Sequence, residues 1–383
     1  MSNIRPKSVY FFYYAALACL APFMALYYAE LGMSGAQIGV LSGTVPLVNW
    51  FSAPFWGGIA DARQRHRAVL LITIAGFGAS AVLLLLADTF IELLLAVIVY
   101  AFFVGPIVPL VDNAVMTILG DEKSNYGRVR LWGSVGWGST GLFIGLLIER
   151  SGLAVGFYGF MAIMFITFLA AARLPMDIAE RARQGYSIGL GVLARNGRFL
   201  LLLLVSLVFG ITLGVMLSYQ FLYIEVLGGS RTLMAWTMTA NTLSEIPFLF
   251  ISAGLLRRFG TSKMIAMALA VTVVRNLAMG AVTNPWMLLP ISLLHGPSFA
   301  VLWAAGVADA DAAAPPGLGA TAQGLFSGMM FGLGSALGGF LGGPAYEAIG
   351  FAALYTLLGW LALGMLVVFV AARLLPRRRT VVG

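Results

Sequence analysis

Stretches of about twenty mainly apolar residues recur along this chain, each long enough to cross a hydrocarbon layer as a helix. Twelve can be drawn, at about 8–30, 35–60, 67–87, 89–119, 126–148, 153–173, 199–226, 232–256, 263–283, 285–308, 320–343 and 349–373. Polar residues gather in the connections between them. The longest polar interruption, Leu174–Arg198, holds Asp177, Glu180, Arg181, Arg183, Arg195 and Arg198 and divides the runs six and six. The pattern predicts an all-α integral membrane protein of twelve transmembrane helices. Its expected parts are a six-helix bundle over residues 1–173, a linker over 174–198 and a second six-helix bundle over 199–383. Residues 1–7 are basic, but the run behind them is of spanning length and no small-residue cleavage site follows. The first run is therefore expected to remain as a span.

Composition narrows the class. Of 383 residues, 60% are apolar and only 10% charged, against about 25% charged in soluble domains; mean hydropathy is +0.94. These values exclude a soluble enzyme, a disordered chain and a disulfide scaffold. Cys19 is the single cysteine, and His66 and His295 are the only histidines, so neither a disulfide nor a metal centre is expected. The net charge of +8 would suit nucleic acid, but its placement argues for a membrane surface instead. With the N-terminus inside, 20 of the 23 Lys and Arg fall in inside segments, Arg150 and Arg231 fall outside, and Arg275 lies within a span. That bias puts both termini in the cytoplasm, here of a bacterial inner (plasma) membrane. Phosphate-loop, zinc-protease and channel-filter motifs do not occur, so no cofactor and no enzymatic activity are expected.

A charge near the bilayer centre costs at least ~2.5–3.5 kcal/mol, which makes it a functional candidate. Asp112, Glu245, Arg275 and His295 stand inside the runs. The last three come from consecutive spans and can face one cavity, with Glu245 expected beside Arg275. Asp112 and Arg130 lie eighteen residues apart across one connection, in a hairpin that lets them meet. Trp137 is two helical turns beyond Arg130 on the same face. Pro106 and Pro109 should loosen the span just before Asp112.

The halves repeat weakly. YYAELG at 27–32 resembles YIEVLG at 223–228, and Gly57-x-x-x-Asp61 resembles Gly254-x-x-x-Arg258. The offset of 196 between Gly32 and Gly228 also relates Asn49 to Glu245, so Asn49 is a candidate cavity residue. Gln220 has a similar standing. Parallel repeats of six helices place a binding site between the halves, near the midplane.

With GGIADARQRHR (57–67) in the second connection, the chain resembles the major facilitator superfamily. Within it, PLVDNAV (109–115), SNYGRVRLWGSVGW (124–137), VVRN (273–276), LLHGPSF (293–299) and YEAIGF (346–351) are similar to the group of lactose permease, phenylpropionate permease and nucleoside symporters. The resemblance implies two pseudo-symmetric bundles in the major facilitator fold. It implies a gating motif at Gly57, Asp61 and Arg65, with Asp61 pairing an arginine to lock the inside closed. It implies that Asp112 and Arg130 hold solute hydroxyls and that Trp137 stacks on the solute. Arg275 and His295 match the arginine and histidine of the group's proton-coupling region. The acid that follows that histidine by one turn in the permease is Ser298 here, so the coupling carboxylate is expected to be Glu245. The expected function is proton-coupled symport of a small polar organic solute by alternating access, in a monomer. The solute classes of the group are sugars or oligosaccharides, nucleosides and aromatic acids. A proton-driven exporter of amphipathic compounds and a uniporter are the alternatives.

Overall fold

The computed structural model describes residues 4–120, 126–176, 193–315 and 318–373. Lys123, Asp177, Glu180, Arg181, Arg183 and Arg377–Arg379 lie outside the described residues, and with them most of the expected linker. Among the described residues every regular element is a helix, and nine helices are long and apolar enough to cross a membrane. The N-terminal ones are α1 (Ile4–Glu30), α3 (His66–Leu86), α4 (Phe90–Leu119), α5 (Tyr126–Ser151) and α6 (Ala154–Ala172). A further long helix, α2 (Gly35–Arg63), has Pro46 and Pro54 inside it. In the C-terminal half, α7 is Gly197–Val226 and α10 is Pro285–Ala313.

Two expected breaks take an unexpected form. Instead of loops between 256 and 263 and between 343 and 349, single glycines in the left-handed region, Gly260 (φ 73°) and Gly350 (φ 78°), turn otherwise continuous helices. They divide the chain there into α8 (231–259) and α9 (261–280), and into α11 (319–349) and α12 (351–373). This division gives twelve helices among the described residues, as many as the runs drawn on the sequence. A side chain would strain the backbone at either point, so each hairpin turns on a single residue. Pro106, as expected, interrupts α4, whose two pieces are Phe90–Val104 and Ile107–Leu119. Pro22 adds a short 3₁₀ turn to α1 that the apolar pattern gave no sign of.

The internal repeat is visible in local geometry. Gly32 (φ 79°) and Gly228 (φ 76°) close α1 and α7 in the left-handed conformation. Two residues later, Ser34 and Ser230 cap α2 and α8, accepting hydrogen bonds from Gln37 N and Leu233 N.

Alternation of the helices places the N-terminus, the 64–65 connection, Gly260 and Arg373 at one end of the molecule, the basic face. The 31–34, 87–89, 227–230 and 281–284 connections lie at the opposite face. Two seams join the halves. On the first, Gly35, Gly39 and Gly43 of α2 meet α11 backbone to backbone; a Cβ on Gly343 would stand 2.1 Å from Gly35 O, and one on Gly339 2.6 Å from Gly43 N. On the second, Gly138, Gly141 and Gly145 of α5 meet Thr242, Met238 and Ala235 of α8. One apolar core runs through the N-terminal bundle and across into the C-terminal residues near the opposite face, including Tyr219, Tyr223, Phe351 and Tyr355. A second, separate core fills the C-terminal bundle toward the basic face, from Leu193 and Phe199 to Phe369. The halves thus share a core at the opposite face and part toward the basic one.

Candidate functional site

The α8 seam leads to the site. Ala235, Met238 and Thr242 touch α5, and Glu245 is the next residue on that stripe, one turn nearer the basic face. It therefore faces the N-terminal half just where the two helices diverge. Its Oε1 lies 3.0 Å from Nε2 of His295 on α10. The other ring nitrogen, Nδ1, lies 3.0 Å from Nη1 of Arg275 on α9. Glu245 and Arg275, expected as neighbours, are separated by the imidazole. The sequence could not show this, because helices eight and ten meet only in the folded bundle. Arg275 is buried, whereas the Glu245 side chain keeps 21% of its exposure against 7% for His295. The carboxylate is the most exposed member of the chain.

These contacts assign a tautomer. A guanidinium only donates, so His295 Nδ1 accepts and the ring proton sits on Nε2, which donates to Glu245. A second proton on His295 would set two N–H groups against each other and break the Arg275 contact. Ser298, at the position of the missing acid, donates to His295 O at 2.9 Å and accepts from Arg275 Nη1 at 3.5 Å. It keeps a contact to the arginine without a charge. Ser244, next to Glu245, accepts from Gly296 N at 2.9 Å and fixes α8 against α10. His295 also stacks on Phe299 at 5.3 Å.

Across the cleft, Asp112 and Arg130 do not form a direct ion pair. Tyrosines of α1 stand between them: Tyr10 donates to Asp112, and Arg130 donates to the Tyr14 hydroxyl. The guanidinium lies over both rings, 4.3 Å from Tyr14 and 5.3 Å from Tyr10. Tyr10 and Tyr14 were missed because tyrosines in an apolar span read as packing; their spacing of one helical turn was the available sign. Trp137 is half-buried against the N-terminal core on the α5 face that Arg130 begins. The Asn49 Oδ1 is buried with no hydrogen-bond partner among the described residues, and its backbone packs beside Gly105 of α4.

Asp61 accepts from His66 Nε2 at 2.8 Å, not from an arginine. Arg65 is exposed and precedes α3, and a Cβ on Gly57 would meet nothing within 4 Å. The contact therefore ties the end of α2 to the first residue of α3, its neighbour in sequence, and Asp61 pairs with no arginine among the described residues. A fifth charge in a span also emerges. Asp309 is fully buried near the end of α10, four residues before its last residue, Ala313, and escaped notice because that span was expected to end at 308. It pairs with Arg198 at 2.5 Å and with Arg373, and Thr261 donates to it at 2.9 Å. It ties α7, α9, α10 and α12 together at the basic face.

The opposite face is sealed by three carboxylates that reach across the divide. Glu30 pairs with Arg231. Glu149, near the end of α5, accepts from Thr232 N in the first turn of α8 at 2.9 Å. Glu347, near the end of α11, accepts from Ala36 N in the first turn of α2 at 3.1 Å. Each of the last two satisfies an otherwise unpaired helix-end N–H and complements its partial positive charge.

Comparison with known proteins agrees with this architecture. Residues 3–357 match the family described as MFS_1 like. The maltose permease of Geobacillus stearothermophilus is 29% identical over 351 residues, covering 90% of this chain and 88% of that one. A probable 3-phenylpropionic acid transporter of Escherichia coli is 27% identical over 303 residues, covering 76% and 78%. A crystal structure of a mutant of the nucleoside transporter NupG superposes with a TM-score of 0.87 at 18% identity, covering 97% of this chain and 99% of that one.

Proposed function

The chain belongs to the MFS_1 like family and is a multi-pass membrane transporter of the major facilitator superfamily; from that premise we propose that it is a proton-coupled symporter importing a small polar organic solute. The observation that carries the reading is the Glu245–His295–Arg275 chain, which presents one reachable carboxylate to the divide between the halves and hides a cation behind it. Facing it from the other half, Asp112, Arg130, Tyr10 and Tyr14 offer a carboxylate, a guanidinium fork and phenolic hydroxyls, a set suited to a solute rich in hydroxyl groups. Trp137 supplies a ring surface for stacking.

The basic face is the cytoplasmic one on the positive-inside rule, so the structure is an inward-facing state, sealed outside by Glu30, Glu149 and Glu347. A proton that neutralises Glu245 removes the charged acceptor of His295 Nε2–H. His295 then loosens from its place between α8 and α10, and the Arg275 contact becomes free to rearrange. The solute and the proton together bias the rocking of one bundle against the other, as alternating access requires. Direction and coupling ion are tested together by labelled sugars, nucleosides and aromatic acids in proteoliposomes with an imposed pH gradient. Accumulation of one class that collapses when the gradient is dissipated supports the reading. Equilibration that ignores the gradient makes the protein a uniporter, and extrusion makes it an exporter.

A further inference from the structure

Arg275 and Tyr355 are 3% and 1% exposed. Each keeps one buried polar atom, Nη2 and the phenolic oxygen, without a hydrogen-bond partner among the described residues. Both line a single small cavity of about 10 Å³ inside the C-terminal bundle, together with Gln220, Asn241, Asn276 and Ser292. The cavity lies among α7, α8, α9, α10 and α12, and shares Arg275 with the Glu245–His295–Arg275 chain. His295 takes Nη1 of Arg275; Nη2 is left over.

The guanidinium cannot shed its proton. Among the described residues no carboxylate lies within ion-pair distance of it, and Glu245 is reached only through the imidazole. A buried cation without an adjacent counter-charge is strongly unfavourable. A water would satisfy the free N–H and leave that charge uncompensated, whereas an anion does both. Space for about one water-sized particle excludes phosphate, sulfate or the carboxylate of an organic solute. It leaves a monatomic ion, which the surrounding amides and hydroxyls can also serve as donors.

We propose that this cavity is a binding site for one monovalent anion of halide size, held by Arg275 Nη2 and the Tyr355 hydroxyl. The site shares Arg275 with the proposed coupling chain and does not rest on the identity of the solute. The test uses the purified full-length protein in neutral detergent, held in sodium gluconate and titrated at constant ionic strength with sodium chloride or sodium bromide. Choline chloride controls for the cation. The melting temperature should rise and saturate with either halide, equally for the sodium and choline salts. In Tyr355→Phe, which loses one hydrogen bond to a charged ligand, the apparent halide affinity should be about tenfold weaker. Crystals grown in bromide should show anomalous density against Arg275, a measurement on the wild type that needs no variant. A melting temperature indifferent to halide, an unchanged response in Tyr355→Phe, or only a water at that position would overturn the proposal.

Discussion

His295 has one ring nitrogen against Arg275 and the other against Glu245, so under the proposed function the carboxylate is the member that takes the coupled proton. Glu245→Gln keeps an acceptor for His295 Nε2–H and removes the titration. It should retain solute binding and exchange while losing uphill accumulation driven by a pH gradient, read as counterflow against gradient-driven uptake in the same vesicles. On the N-terminal side, Arg130→Lys should abolish solute binding, because an ammonium cannot reproduce the guanidinium fork or lie flat on Tyr14. Tyr14→Phe keeps the ring and deletes one hydroxyl partner. It should weaken affinity by about tenfold, the order of one hydrogen bond to a charged group, with normal membrane insertion; equal affinities in a binding titration would take Tyr14 out of the site. At this scale the sequence was informative where a charge interrupts an apolar run, as at Asp112, Glu245, Arg275 and His295. It was silent on who touches whom: the imidazole between Glu245 and Arg275, and the tyrosines between Asp112 and Arg130, depend on helix rotation that no single span encodes.

The ends of the helices form a pseudo-symmetric latch. Glu149 and Glu347 are 198 residues apart, and the amides they cap, on Thr232 and Ala36, are 196 apart. Each half therefore lends a carboxylate from its fifth helix to the N-terminus of the other half's second helix. A carboxylate in such a position is worth about 0.3–1 kcal/mol. Glu149→Gln combined with Glu347→Gln should therefore shift the balance toward the outward-open state by about tenfold. Spin-label distances across the opposite face should show the longer population growing; an unchanged distribution would mean the caps do not hold the seal. The latch was only half visible beforehand. The repeat between YYAELG and YIEVLG marked the first connection of each half, but not the capping serines that follow it, and the glutamates come from distant helices. The glycines of α5 and α11 permit close approach, but their sequence does not say which partner each meets. Gly260 and Gly350, by contrast, turn the chain within single residues, so the gaps of several residues drawn there on the sequence shrink to one.

The separation of the two apolar cores gives the molecule its state: joined at the opposite face, parted at the basic one. Length, hydropathy and the six-and-six division made the class and fold legible, since burying so much apolar surface in water is not an option and lipid admits only helices or barrels. The conformation was not legible, because alternating access requires one sequence to support two packings of nearly equal energy. Cysteine cross-links placed across each face in turn should arrest transport, those at the opposite face forming readily and those at the basic face only when the molecule turns over. Undiminished transport with both faces linked would exclude rocking of the halves. The central claim, that solute cannot move without a proton passing by way of Glu245, is tested most directly by a pH-sensitive dye inside liposomes without any imposed gradient. Addition of the transported solute outside should acidify the lumen in the wild type and leave it unchanged in Glu245→Gln. Solute entry in the wild type with no acidification would contradict it.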